Sequence, residues 1–222
     1  MLPFTDRCEA GRLLAARLGE FADLQPYVMA LPRGGVPVGF EVAKALTAPL
    51  DVVFVRKIGA PGNPELALAA VVDGDTPELV VNPEVAAATG AGADYLAQVE
   101  AAELRTIAAR HRLYQTGRRS GEIAGRTVIV VDDGIATGST MRAALKALRR
   151  QRPGRLVVAV PVAPPDTLAD LRAEVDAVVC LASPEPFIAI GGFYQDFRQV
   201  TDGEVVDLLR RAASWSGSGS NP

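Results

Sequence analysis

The stretch Val128-Ile129-Val130-Val131-Asp132-Asp133-Gly134-Ile135-Ala136-Thr137-Gly138-Ser139-Thr140 carries most of the information in this chain. Four consecutive apolar, β-branched residues predict a strand covered on both faces, as in a parallel sheet flanked by helices. Two carboxylates, Asp132 and Asp133, close that strand. Small and hydroxylated residues follow, then the helix-forming Met141-Arg142-Ala143-Ala144-Leu145. Backbone N–H groups of Ala136, Thr137, Gly138, Ser139 and Thr140 can approach a phosphate there without bulky side chains in the way. The helix N-terminus adds its positive dipole end, and Thr137, Ser139 and Thr140 add hydroxyl donors. The two acids would repel that phosphate, so they make sense as acceptors for sugar hydroxyls or as partners of a cation. A phosphorylated sugar satisfies both halves. The competing reading, a plain strand-to-helix turn with Ser139 as N-cap, leaves two adjacent acids at a buried strand end without a task.

Outward from this stretch, short β-branched runs alternate with Ala/Leu-rich amphipathic runs, the pattern of βα units. Strands are expected near 27–31, 51–56, 67–72, 127–132, 156–162 and 177–181. Helices are expected near 9–21, 36–46, 93–116, 139–150, 165–172 and 204–213. The fold class is α/β, an open, mostly parallel sheet flanked by helices. The segment 95–119 reads as one long helix whose arginines form a solvated face. Residues 1–213 read as one domain, and 214–222, rich in Ser and Gly, as a flexible tail.

Composition narrows the function classes. At 222 residues with 49% hydrophobic content, the chain can bury a core without staples. Only Cys8 and Cys180 are present, which excludes a disulfide framework and fits a cytoplasmic setting. No apolar run approaches the roughly 18 residues of a membrane span, and the N-terminus lacks an apolar signal region. A net charge of −3 argues against a dedicated nucleic-acid binder. The one histidine, His111, excludes multi-histidine zinc sites and is read as solvent-facing. A Gly-x-Ser-x-Gly elbow and a Gly-x-Gly-x-x-Gly fingerprint are both absent, which removes serine hydrolases and dinucleotide oxidoreductases.

Two further strand ends carry chemistry, because ligands in open α/β sheets bind beyond the carboxyl ends of strands. After the first strand comes Leu31-Pro32-Arg33-Gly34-Gly35-Val36. Gly34 and Gly35 allow close backbone approach, and Arg33 offers a fork for phosphate oxygens. After the second comes Val55-Arg56-Lys57-Ile58-Gly59-Ala60-Pro61-Gly62-Asn63-Pro64-Glu65, which reads as a mobile loop carrying the cations Arg56 and Lys57.

The run Val128 to Thr140 resembles the thirteen-residue phosphoribosyl pyrophosphate (PRPP) motif of type I phosphoribosyltransferases, and all thirteen positions fit. The resemblance spans roughly residues 27–181. It implies that Asp132 and Asp133 meet the ribose 2- and 3-hydroxyls, and that Ala136, Thr137, Gly138, Ser139 and Thr140 hold the 5-phosphate. Arg33, Gly34 and Gly35 match the family's pyrophosphate loop. Arg56 and Lys57 match its flexible catalytic loop. In this family a small hood over the carboxyl edge recognises the base. Here residues 183–200 and the N-terminus are the expected hood, with Phe187, Phe193, Tyr194 and Phe197 as candidates to stack on a base.

The activity so implied is transfer of the 5-phosphoribosyl group from PRPP to a nitrogenous base with release of pyrophosphate. It would be assisted by Mg2+ held mainly through substrate, with Asp132 and Asp133 as the candidate protein ligands. The expected partners are PRPP and a nucleobase or similar acceptor, with no nucleic acid and no membrane; a homodimer is compatible with the chain. In relatives acting on hypoxanthine and guanine, an aspartate stands at the position of Ala136 and serves purine N7. Alanine closes that route. A non-catalytic PRPP- or nucleotide-binding regulator of the same fold is the alternative. The identity of the base stays open.

Overall fold

The computed structural model describes residues 2–72, 78–114 and 123–216. In chain order the elements are α1 (Arg7–Arg17), a 3-10 turn (Gly19–Leu24), β1 (Tyr27–Ala30), α2 (Gly35–Leu46), β2 (Leu50–Val52), β3 (Val55–Ala60), β4 (Asn63–Val72), β5 (Glu78–Val81), α3 (Pro83–Thr89) and α4 (Ala93–Tyr114). Then come β6 (Thr127–Val131), α5 (Ser139–Arg150), β7 (Arg155–Val162), α6 (Pro165–Arg172), β8 (Ala177–Ala182), a 3-10 turn (Ile190–Phe193) and α7 (Asp202–Ser216).

Five strands form a parallel sheet in the order β2-β1-β6-β7-β8. The period of two along each strand sends alternate side chains to opposite faces. Val128, Val130, Leu156 and Val158 pack with Met141, Leu145 and Leu148 of α5 and Leu168 of α6. Ile129, Val131, Val157 and Ala159 pack with Leu14 of α1, with Leu18 just after it, and with Val38 and Val42 of α2. Both faces of the central strands β1, β6 and β7 are therefore dry, which explains why those strands are almost wholly apolar. From β1 the chain turns one way to β2 and places β6 on the other side, so the strand order reverses between β1 and β6. That crevice is where an open α/β sheet takes its ligand.

A second, antiparallel sheet, β3-β4-β5, stands beside the first. Phe54, Ile58, Leu68 and Val71 bury against Ile107 and Tyr114 of α4 and Val205 and Leu209 of α7. This corrects two expectations. The strand expected over 51–56 is two strands in two sheets, split at the buried Val53 and Phe54. The segment expected to be a loop, 55–65, is a hairpin: β3 pairs with β4 from Val55↔Val72 to Ala60↔Asn63. Its turn holds Gly62 at φ +74°, a conformation glycine adopts without steric cost.

Other boundaries shift. Asp6 caps α1, its Oδ1 accepting from the Glu9 N–H at 2.7 Å, so the helix starts two residues before the expected 9. The strand β5 and the helix α3 were not expected. Asn82 caps α3 by accepting from Glu84 and Val85 N–H, and Pro83 opens it, a start signal present in the sequence. Within the described residues α4 ends at Tyr114; residues 115–119 of the expected long helix lie outside them. His111 packs edge-on against Phe54, centroids 4.9 Å apart, and is half-buried rather than solvent-facing. The last helix runs on through Ser216, so Ser214 and Trp215 belong to it. Trp215 lies against Phe40 of α2. The rest of the expected tail, 217–222, lies outside the described residues. Among the described residues no helix is long and apolar enough to cross a membrane.

Candidate functional site

The site forms where β1 and β6 end side by side, paired through Ala30↔Val131. Beyond β1, Leu31 N–H donates to the Val131 carbonyl at 2.9 Å. The chain then turns through Pro32, Arg33 and Gly34 into α2, and the Pro32–Arg33 peptide is cis. This turn lies flush on the acid pair. A Cβ at Gly34 would stand 2.1 Å from Asp133 Oδ2, and one at Gly35 would stand 2.8 Å from the Val131 carbonyl oxygen. No other residue type fits at Gly34 without displacing the carboxylate.

Beyond β6, Asp133 N–H donates to Asp132 Oδ1 at 2.9 Å. Burial, and then the neighbouring Asp133 charge, push the Asp132 carboxyl well above the usual carboxylate range. Burial also raises Asp133, against the opposing pull of Arg7. Asp133 is buried, whereas Asp132 keeps some exposed surface.

The chain next runs along α6. Ile135 N–H donates to the Val162 carbonyl at 2.9 Å, and Thr167 Oγ1 donates to the Ala136 carbonyl at 2.8 Å. Gly138 takes φ +76° and caps α5 without a side-chain hydrogen bond. Ala136, Thr137 and Ser139 are exposed, and Thr140 is half-buried. The Thr137 and Ser139 hydroxyls lie 3.2 Å apart. The loop is thus braced from behind, with its hydroxyls and the open end of α5 on the exposed side. That arrangement suits a dianionic phosphate.

The cations lie at the rim. Arg33 Nη1 is 4.0 Å from Asp202 Oδ1 of α7, and the Tyr114 hydroxyl donates to that same Asp202 oxygen. Burial, and then this hydrogen bond, push the Tyr114 hydroxyl up to about 12. Arg56 Nε donates to Glu103 Oε2 of α4 at 2.7 Å. Lys57 lies on β3 beside Arg56, and its side chain is outside the described residues. Arg56 and Lys57 therefore sit on a strand, not on the expected mobile loop.

The segment expected as hood, residues 183–200, is joined to the N-terminus by backbone hydrogen bonds. Phe4 N–H donates to the Phe193 carbonyl at 2.8 Å, Gln195 N–H to Phe4 at 2.7 Å, and Asp196 N–H to Thr5 at 2.9 Å. It presses on the acid-pair loop, since a Cβ at Gly134 would meet Ile190 Cγ2 at 2.6 Å. Phe187 and Phe193 are half-buried, with centroids 5.0 Å apart. Tyr194 corrects its expectation. It is buried at 6% exposure, it touches Phe4 and stacks on Phe197, and its hydroxyl donates to the Asp133 carbonyl. It has no open face for a base. Phe197 is covered likewise, by Tyr194 and by the Arg7 guanidinium 3.9 Å from its centroid.

Arg7 was not anticipated as a site residue. Its Nε donates to Asp133 Oδ2 at 2.7 Å across 126 residues of sequence. Only the cap at Asp6, which places residue 7 in a first helical turn, was locally visible.

An acid pair and a braced loop of small and hydroxylated residues face a glycine turn at the switch point of a parallel sheet, where α/β proteins take their ligands. The sequence pattern of the phosphoribosyl transferase domain matches residues 8–197, and the chain belongs to that family. Proteins from two strains of Mycobacterium tuberculosis, CDC 1551 / Oshkosh and H37Rv, provisionally named phosphoribosyl transferases, are 44% identical over 209 residues. The match covers 94% of this chain and 47% of each relative, so the chain spans about half the length of these curated relatives. The crystal structure of TT1426 from Thermus thermophilus is 44% identical, with a TM-score of 0.77 over 95% of this chain and 99% of that one.

Proposed function

We propose that this chain transfers the 5-phosphoribosyl group of PRPP to a nitrogenous base and releases pyrophosphate. One observation carries the reading. The turn after β1 and the acid pair after β6 are packed together at the switch point, with Gly34 against Asp133. Pyrophosphate on the turn and ribose on the acids would then share an anomeric carbon between them.

In this reading the bond from the ribose C1 to pyrophosphate oxygen breaks, and the electron pair leaves with pyrophosphate. A base nitrogen forms the new bond to C1, and its proton passes to solvent. Asp132 accepts hydrogen bonds from ribose hydroxyls and stabilises positive charge on the ring. Thr137, Ser139 and Thr140, with the N–H groups of Ala136 and Gly138, hold the 5-phosphate. Charge grows on the leaving group, so Arg33, Arg56 and Lys57 act more strongly in the transition state than before it. Arg33 and Arg56 reach pyrophosphate by leaving Asp202 and Glu103. Phe187 and Phe193 are the ring surfaces available to a flat base.

The residues present fit Mg2+. Among the described residues no group of three or more acids, histidines or cysteines converges. An adjacent carboxylate pair suits an ion that keeps waters and substrate oxygens as most of its ligands. Asp132, which keeps some exposed surface, would hold it, and the ion would supply charge neutralisation on pyrophosphate.

Thermal unfolding tests the binding half of this reading. PRPP with Mg2+ at about 100 times its dissociation constant adds about 2.7 kcal/mol. At about 2–4 °C per kcal/mol, Tm rises by about 5–11 °C, and Asp132→Asn abolishes most of the rise. An unchanged wild-type Tm at saturating PRPP contradicts the proposal.

A further inference from the structure

Asp133 is gripped by residues that lie outside the motif containing it. From α1, Arg7 Nε donates to Asp133 Oδ2, and the two side chains are 10% and 11% exposed. From the hood, the Tyr194 hydroxyl donates to the Asp133 carbonyl. Arg7 is itself fixed. Its Nη1 donates to the Arg198 carbonyl at 2.8 Å, and its guanidinium lies on Phe197, which stacks on Tyr194. Gly34 also closes against the same carboxylate oxygen, 2.1 Å from where its Cβ would stand.

We infer that Arg7 and Tyr194 are positioning residues that fix Asp133 as a strut between hood and sheet, leaving Asp132 as the carboxylate that meets the ribose. The inference rests on the PRPP reading above. A buried carboxylate persists as an ion only with a partner, and a forked guanidinium at 2.7 Å is the strongest one available. Asp133 Oδ2 is thereby committed between Arg7 and Gly34, which leaves it little capacity for a sugar hydroxyl. Asp132 keeps exposed surface. The family pattern begins at residue 8, one residue after Arg7, so the matched segment does not contain this contact. Both anchors of Arg7, the Arg198 carbonyl and the Phe197 ring, belong to the hood. The clamp therefore ties the element expected to hold the base to the strand end expected to hold the ribose.

The test is calorimetric PRPP binding in the presence of Mg2+, beside ligand-free Tm. The proteins are wild type, Arg7→Gln, Arg7→Lys, Asp133→Asn, the Arg7→Gln/Asp133→Asn double variant and Tyr194→Phe. Arg7→Gln is expected to weaken PRPP by about tenfold or more, through the stranded carboxylate. Arg7→Lys recovers part of the loss, since it keeps the charge and gives up the fork. The double variant binds no more weakly than Asp133→Asn, because Arg7 acts through Asp133. A folded Arg7→Gln that binds PRPP like wild type overturns the inference, whatever its Tm, and so does full additivity in the double variant. If Arg7→Gln does not fold, Arg7→Lys and Tyr194→Phe decide. Weakened binding by either carries the inference, and wild-type affinity in both overturns it. Absence of PRPP binding by wild type overturns the functional reading as well, whereas binding by wild type with indifferent variants overturns the clamp alone.

Discussion

Arg56 Nε and Glu103 Oε2 stand 2.7 Å apart, so a guanidinium proposed for pyrophosphate is held by a carboxylate of α4. The Arg56 side chain is 37% exposed, and pairs this open contribute at most about 1 kcal/mol to stability after solvent screening. Removing the competitor should therefore favour the ligand at small structural cost. Glu103→Gln is expected to tighten PRPP binding by roughly 2–5-fold with Tm nearly unchanged, and titration calorimetry beside thermal unfolding checks it. Weaker binding in a folded Glu103→Gln would mean that Glu103 positions Arg56 instead of competing for it.

Gly34→Ala puts a Cβ where Asp133 Oδ2 already lies. The carboxylate cannot yield freely, because Arg7 Nε holds the same oxygen at 2.7 Å. Overpacking of this kind costs about 1–3 kcal/mol, which lowers Tm by roughly 2–12 °C. The variant should also lose the PRPP-dependent rise in Tm. Thermal scans with and without PRPP read both effects.

The start of α7 carries a pH signature. Thr201 and Glu204 form a reciprocal cap: Thr201 N–H donates to Glu204 Oε2 at 2.8 Å, and Glu204 N–H donates to Thr201 Oγ1 at 3.2 Å. The Arg198 side chain, and then the Thr201 donors, hold the Glu204 carboxyl down to about 2. A folded-state value depressed below the ordinary 4.5 gives stability that is present above pH 4.5. It fades as pH falls through the folded value near 2. Glu204→Gln should therefore lower Tm at pH 7, and its difference from wild type should shrink between pH 4.5 and pH 2. A difference constant across that window would remove the ionised cap from the account.

The parallel half of the fold was legible for a physical reason. Strands covered on both faces must be apolar throughout, and α5 and α6 begin and end where their amphipathic runs do, at 139–150 and 165–172. The antiparallel half was not. Val52-Val53-Phe54-Val55 is apolar without a break, and a chain leaving one sheet for another shows the same pattern as one long strand. The turn Pro61-Gly62 read as loop because it is a hairpin tip, and pairing is a long-range fact. Within the candidate site, the acid pair, the loop of small and hydroxylated residues and the glycine turn were legible as strand-end features because each depends on adjacent residues. Arg7 and Asp133, 126 residues apart, share no local pattern. Aromatic content around 187–197 marked the hood, but not that Tyr194 would bury its ring and spend its hydroxyl on the Asp133 carbonyl.

Pyrophosphate release separates a transferase from a binding protein. The chain is incubated with PRPP and Mg2+ and a panel of purine, pyrimidine and simple amine acceptors, and pyrophosphate is measured beside the phosphoribosylated product. Release is expected to depend on one class of acceptor, to be matched mole for mole by product, and to be lost in Asp132→Asn. PRPP binding with no pyrophosphate released by any acceptor would contradict the transferase reading and make the chain a binding protein of the same fold.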